Sequence, residues 1–194
     1  SGGTDWQGGG GGIYFTGNTD QDVTISNNTI ANNQSSPGAG ISIVSEATET
    51  YSNSTIQHNT FQNNQGSGSY ISGLNSSESS LIYIYDPSGR ENFQSVFTSN
   101  DFLNNDTTYT FYLYQAEDVS DFDISGQWWN TTSSTAIESL IYDFNEDPTK
   151  NLAIYSPFLT SPSASGPPGI PTNVAVQTGS TTIALTWDAG PESD

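Results

Sequence analysis

A nine-residue pattern of apolar and polar positions recurs along this chain. Apolar residues occupy its first and sixth positions, and Asn occupies its fourth and ninth. Full copies begin at Ile25, Ile56 and Phe97, and a shorter, degenerate copy begins at Ile124. Such self-similarity predicts a stack of repeated units, here called coils.

A second pattern, which alternates apolar with polar or aromatic residues, accompanies the copies. It covers residues 12–15, 40–43, 70–73 and 110–113, which places Ile13, Ile41, Ile71 and Phe111 at equivalent positions. A period of two residues indicates β-strands. The last spacing is the longest, so we expect an insertion in the third coil at 74–94, with an additional strand over 81–85.

Strands this short, with no helix between them, bury an apolar face only by stacking parallel on the next coil. Adjacent strands lie about 4.8 Å apart, so equivalent residues come into register. Ile30, Phe61, Phe102 and Trp129 should then form one inward stack. Asn tolerates a left-handed backbone, and stacked amides hydrogen-bond to each other. We therefore expect two ladders at the turns, one of Asn28, Asn59 and Asn100 and one of Asn33, Asn64 and Asn105.

Over residues 10–129 this pattern resembles the right-handed parallel β-helix repeat family. The resemblance implies an all-β fold, a right-handed parallel β-helix (a solenoid). Proteins of this fold include lyases, hydrolases, epimerases, adhesins and plain spacers, so the fold alone does not give the function.

The β-helix and a C-terminal cap are expected to occupy residues 1–159. The one predicted helix runs from Thr135 to Asp143, with Thr135 and Glu138 as a capping box and Ile137, Leu140 and Ile141 on one face. The whole passage is similar to the closing segment of many secreted β-helix proteins, with Asn130 where Gly is usual. This resemblance implies a short capping helix over the last coil.

A Ser/Pro/Gly linker is predicted at 160–171, followed by an appended β-strand pair at 172–194. The pair resembles the first two strands of a fibronectin type III domain, with Trp187 at a core position of that family. Two strands alone cannot bury Ile183, Leu185 and Trp187. We expect them to dock on the β-helix or to be donated to a neighbouring chain.

Charge and composition exclude several function classes. The net charge is −19, and Arg90 and Lys150 are the two cations, so nucleic-acid binding is excluded. Without Cys or a long apolar run, the chain offers neither disulfides nor a membrane-inserted segment. The opening Ser1-Gly2-Gly3 indicates a mature or excised piece of a longer protein. Together these features favour the outside of a prokaryotic cell.

Candidate chemistry is sparse. Uronate lyases on this fold need converging cations, which Arg90 and Lys150 do not provide. Asp121 and Asp123 point outward, about 7 Å apart by strand geometry, and are the candidate catalytic or cation-binding pair. The alternative is a solvated face. His58, the one histidine, is interpreted as a turn residue.

Two further sets of residues are candidate binding sites. Tyr83 and Tyr85 would point the same way and could stack on a sugar ring, or could instead cover the core. Asp143, Asn145 and Asp147 alternate as the oxygen ligands of calcium loops do, so calcium is the candidate cofactor. A melting temperature unchanged by a chelator would remove this last hypothesis.

Two hypotheses for function follow. In the first, the chain is a non-enzymatic extracellular module, a spacer, adhesin or assembly subunit that forms homo-oligomers by strand or end-to-end association. In the second, it is a fragment of a secreted polysaccharide-active enzyme or a carbohydrate-binding module, with a glycan as its partner. Converging carboxylates and aromatics in a groove would favour the second hypothesis, and a flat Asn/Thr wall the first.

Overall fold

The computed structural model is built almost entirely of short parallel strands. It describes residues 11–16, 22–44, 54–66, 79–86, 95–115, 121–167, 172–179 and 181–188. The strands are β1 Ile13–Thr16, β2 Val23–Ser26, β3 Thr29–Ala31, β4 Gln34–Ser35, β5 Ile41–Val44, β6 Ser54–Gln57, β7 Thr60–Gln62, β8 Gln65–Gly66, β9 Ser80–Asp86, β10 Ser95–Thr98, β11 Asp101–Leu103, β12 Tyr109–Gln115, β13 Phe122–Asp123, β14 Ile141–Tyr142, β15 Ala153–Ile154, β16 Thr172–Thr178 and β17 Ile183–Asp188.

Successive copies of the sequence pattern pair side by side and in parallel. The strands that open the copies form one sheet in the order β10-β6-β2, and those that follow the first Asn form a second, β11-β7-β3. A third and larger sheet has the order β1-β5-β9-β12-β14. The apolar residues of all three sheets belong to one core cluster. The stacking predicted from the sequence is therefore confirmed.

The predicted inward stack is present at its central positions. Phe61 pairs with Ile30 on one side and with Phe102 on the other. The ring centroids of Phe61 and Phe102 lie 5.5 Å apart, and those of Phe102 and Trp129 lie 5.4 Å apart. All four side chains are buried, so this row is a continuous part of the core.

The side-chain amides of the two turns hydrogen-bond from coil to coil. Asn59 Oδ1 accepts from the backbone N–H of Asn28 at 3.0 Å, and Asn100 Oδ1 accepts in the same way from Asn59 at 3.0 Å. In the second ladder, Asn64 Oδ1 accepts from Asn33 N–H at 3.1 Å and Asn105 Oδ1 from Asn64 N–H at 3.0 Å.

The left-handed backbone lies one residue before each ladder position, not at the ladder residue itself as we expected. Positive φ is found at Asn27, Asn32, His58, Asn63, Ser99, Asn104 and Gly126. The reason is that the left-handed residue turns the chain, and the amide that follows it then hydrogen-bonds to the neighbouring coils. His58, with φ of 55°, is therefore a turn residue.

The third large-sheet strand is not the one that the sequence pattern indicated. Ile82 of β9, and not Ile71, pairs with Ile41 and with Phe111. The segment 81–85 is thus the regular strand of its coil, whereas residues 70–73 lie outside the described residues. The longer run of β-branched and aromatic residues occupies the sheet, because it has more apolar surface to bury.

The predicted helix is shorter and starts earlier than expected. Helix α1 is Ser134–Glu138, and its N-cap is Ser133, whose hydroxyl accepts from Ala136 N–H at 3.3 Å. Ile141 is in β14, paired with Phe111, because strand pairing with the preceding coil outweighs one more turn of a short helix. Asn130, which stands where Gly is usual, has φ of 59°, a left-handed conformation that Asn tolerates.

Candidate functional site

Tyrosine side chains of neighbouring coils stack on the large sheet, on the face opposite the core. Strand pairing aligns Tyr83 with Tyr112, and Tyr85 with Tyr114. The second pair of rings is stacked with centroids 4.9 Å apart, and Tyr112 stacks on Tyr142 at 4.2 Å. We call this set of five residues the tyrosine face.

The two tyrosines that the sequence singled out differ in their exposure. Their rings stack 6.2 Å apart on the same face, as predicted. Tyr83 is buried, whereas Tyr85 is partly exposed. Burial raises the pKa of both hydroxyls, and the neighbouring tyrosines add to the effect. Tyr85 is therefore the one of the two that a ligand could reach.

One of the two cations of the chain lies against this face. Lys150 Nζ is 3.9 Å from the centroid of the Tyr114 ring and 3.6 Å from Asp147 Oδ2. A cation over an aromatic face is favourable, more so when it is shielded from water. Together with Tyr142, this contact holds the segment after α1 against the earlier coils.

The carboxylates proposed to bind calcium accept hydrogen bonds from the backbone. Asp143 Oδ1 accepts from Asn145 N–H at 2.9 Å and Oδ2 from Ala153 N–H at 2.8 Å. Asp147 Oδ1 accepts from Thr149 N–H at 3.0 Å. Hydrogen bonds from Thr149 lower the pKa of the Asp147 carboxyl. This geometry fits a turn better than a calcium loop, because an ion would compete with these N–H groups and with Lys150. Calcium binding here stays a prediction.

Asp121 and Asp123 both lie on the surface, in and beside β13. Asp123 Oδ1 accepts from Ser125 N–H at 2.8 Å. The acidic neighbours Glu117 and Asp118 lie outside the described residues, as does Arg90. Among the residues that the structure describes, no three His, Cys, Asp or Glu side chains are arranged to hold a metal. The catalytic role of the Asp pair stays a prediction.

The C-terminal strand pair does not dock on the stacked coils. Strands β16 and β17 form an antiparallel hairpin with Val176 opposite Leu185. The expectation of docking is wrong, because Ile183 is 73% exposed and Trp187 is 59% exposed. Val174, Val176 and Leu185 are also more than half exposed. This hairpin therefore presents an apolar face that the described part of its own chain does not cover.

A buried aspartate under the predicted linker is the feature that sequence reasoning missed. Asp101 begins β11, in register with Thr60 of the preceding coil. It is 4% exposed, and its Oδ1 accepts from Ser163 N–H at 2.8 Å. Burial raises the pKa of the Asp101 carboxyl to about 6, although the Ser163 N–H lowers it. The indication in the sequence was that polar residues, Thr29 and Thr60, occupy the equivalent positions of the other coils, as expected for a row that faces outward.

The linker runs back across the coils. Leu159 N–H donates to Gln127 O of the fourth coil at 2.8 Å. Ser163 reaches Asp101 of the third coil, and a Cβ built on Gly166 would lie 3.7 Å from Thr60 Oγ1 of the second. We call residues 159–166 the strap. The strap thus runs from the fourth coil to the second.

Comparison with known proteins agrees with this architecture. Residues 4–82 match the family model of the right handed beta helix region. This match supports the β-helix family. No curated protein and no solved structure matches the chain. Within the described parts of the chain, no helix has the length and apolar character needed to cross a membrane.

Proposed function

We propose that this chain is a non-catalytic structural module of a secreted or surface protein, acting outside a prokaryotic cell. In this proposal the stacked coils close into a right-handed solenoid that serves as a rigid spacer. The module associates with further copies through the hairpin β16–β17, whose strands resemble the start of a fibronectin type III domain. The observation that carries the proposal is the apolar face of that hairpin.

The hairpin needs a partner for a physical reason. Val174 and Val176 of β16 and Ile183, Leu185 and Trp187 of β17 lie on one face and are 57–73% exposed. An isolated two-stranded hairpin is marginally stable in water, and contiguous exposed apolar surface marks an interaction site. Burying this face against another copy would stabilise both the hairpin and the assembly.

The first coil is the partner surface that we propose. Among the described residues, β1, β2 and β3 each lie at the edge of their sheet, and an edge strand has N–H and C=O groups that can pair with another chain. In this proposal α1 caps the other end of the stack, and its Ile137 is fully buried. Association of a hairpin with the first coil of the next copy is head-to-tail, and it generates a filament unless it closes into a ring.

The test compares substitutions on the two faces of the hairpin. Leu185→Lys places a charge on the apolar face, whereas Ala184→Lys adds the same charge next to it on the opposite face. In sedimentation velocity, the unmodified chain and Ala184→Lys should form concentration-dependent oligomers, and Leu185→Lys should stay monomeric. Higher salt should strengthen association, because it screens the repulsion between chains of net charge −19.

The shape of the oligomer tests its geometry. Electron microscopy of the purified chain should show linear filaments or rings. A monomer at every concentration and salt level would refute self-association.

A glycan-binding role is the second candidate, and the tyrosine face favours it. Tyr85 and Tyr114 are stacked and partly exposed on neighbouring coils, and their exposed edges and hydroxyls form a row that successive sugar units could contact. Tyr85→Ala should weaken the binding of a neutral oligosaccharide by roughly tenfold, the equivalent of about 1.4 kcal/mol. Titration calorimetry measures this, with Phe144→Ala as an exposed aromatic control. Equal affinities for the two variants would exclude the site.

A further inference from the structure

The strap is held over the third coil mainly by one polar contact. Ser163 is 6% exposed, and its N–H donates to Asp101 Oδ1 at 2.8 Å. The same residue organises the strap internally, since its Oγ accepts from Ser165 N–H and its carbonyl accepts from Gly166 N–H, both at 3.3 Å. The turn 163–166 thus sits directly above the Asp101 carboxyl.

The carboxyl under the strap differs from the side chains at equivalent positions of the other coils. Pairing places Thr29 and Thr60 in the same row, and a β-bridge continues the row to Trp128. An uncharged hydroxyl costs little to cover, whereas a carboxylate loses hydration when it is covered. In this row, Asp101 is therefore the residue whose ionisation makes it harder for the strap to cover it.

We propose that residues 159–166 form a strap that docks on the β-helix while Asp101 is protonated and loosens when Asp101 ionises. The consequence for assembly rests on the function proposed above. A docked strap restricts the positions that the hairpin can reach, and a loosened strap removes that restriction.

The direction of the pH dependence follows from the two states of the carboxyl. When the strap is docked, burial raises the pKa of Asp101 to about 6; when the strap is undocked, a hydrated Asp has a pKa of about 3.9. The docked state therefore binds more protons between these two values. Docking is strongest below about pH 4, weakens as the pH rises to about 6, and is constant above that.

Among the described residues, the Asp101 carboxyl is the source of the pH dependence expected for strap docking. Among the described residues, Ser163 N–H is hydrogen-bonded to its carboxyl, Gly166 lies against it and Thr60 is its neighbour on the paired strand, and none of these ionises. Burial and the Ser163 N–H are the two influences on this carboxyl. A pH dependence of the strap therefore reports on Asp101 itself.

Hydrogen exchange of the full chain tests the proposal. The protection factor of the Ser163 amide, corrected for the intrinsic exchange rate, should fall between about pH 4 and pH 7 by up to about 100-fold. Asp101→Asn keeps an oxygen that can accept from Ser163 but does not titrate, so its protection should be independent of pH. Asp106→Asn, on the exposed part of the same coil, should keep the dependence of the unmodified chain.

A second measurement needs no substitution. The carboxyl carbon of Asp101 and the amide proton of Ser163 should titrate together in NMR spectra of the unmodified chain. Constant protection across this pH range, or an Asp101→Asn variant with unchanged pH dependence, would overturn the proposal. Because strap docking is measured within one molecule, a monomeric chain would refute the proposed assembly and leave this result intact.

Discussion

Replacing Phe61 with alanine should lower the free energy of unfolding by about 3–5 kcal/mol. Phe61 is fully buried, and its ring packs on Phe102 in the next coil. A Cβ built on Gly40 would lie 2.9 Å from Phe61 Cδ1, so the backbone of the large sheet also touches the ring. Since rigid backbone surrounds the site on several sides, it cannot collapse into the space left by the ring, and a cavity remains.

Urea unfolding followed by circular dichroism measures this loss. Phe144→Ala is the matched control, because Phe144 is 46% exposed and its loss should change stability by less than about 0.5 kcal/mol. The slope of the transition should be compared as well, because long stacks of repeats can unfold in parts. A loss below about 1 kcal/mol for Phe61→Ala would contradict a continuous core through the coils.

The sequence predicts the stacking because every coil repeats the same pattern of apolar positions. An apolar residue at a fixed place in each copy has the same neighbour above and below, so Ile30, Phe61 and Phe102 could be aligned without knowledge of the turns. The ladder has a further member, in the fourth copy, that is not an Asn. Gln127 holds the ladder position in the fourth copy, and its Oε1 accepts from Asn100 N–H and Nδ2, both at 3.0 Å.

Gln127 could have been recognised from its surroundings. It follows Gly126, which has positive φ, at the same distance from the apolar start of its copy as Asn100. Its Nε2 donates to Ser125 O at 2.7 Å. Asn28 and Asn59 make the same bond to the residue two positions before them, so Gln127 continues the ladder with a longer side chain.

Features outside the repeat were predicted poorly, for a different reason. Tyr70-Ile71 and Leu81–Tyr85 compete for one place in the large sheet, and pattern alone does not compare how much surface each would bury. The strap is a Ser/Pro/Gly sequence typical of free linkers. Its contact with the third coil includes the hydrogen bond from Ser163 to Asp101, which links residues far apart in sequence. The sequence indicated neither partner.

Replacing Asn59 with alanine should lower the free energy of unfolding by about 3–5 kcal/mol, which is as much as the loss of a core aromatic. Asn59 is fully buried. Its Oδ1 accepts from Asn28 N–H and Nδ2, and its Nδ2 donates to Ile25 O, Gln57 O and Asn100 Oδ1. Alanine provides none of these partners. Each buried group left without one costs about 1–3 kcal/mol.

The matched control is Asn28→Ala, at the exposed end of the same ladder. Asn28 Nδ2 donates to Ser26 O and to Asn59 Oδ1, but water can replace the first bond, so the loss should stay below about 1 kcal/mol. Asn59→Asp separates hydrogen bonding from packing, because it preserves size and the accepting oxygen while placing a carboxylate against three carbonyl-type oxygens. It should be at least as destabilising as alanine at neutral pH. Equal losses for Asn28→Ala and Asn59→Ala would mean that burial does not strengthen the ladder, and the coils would then be held together by their apolar core alone.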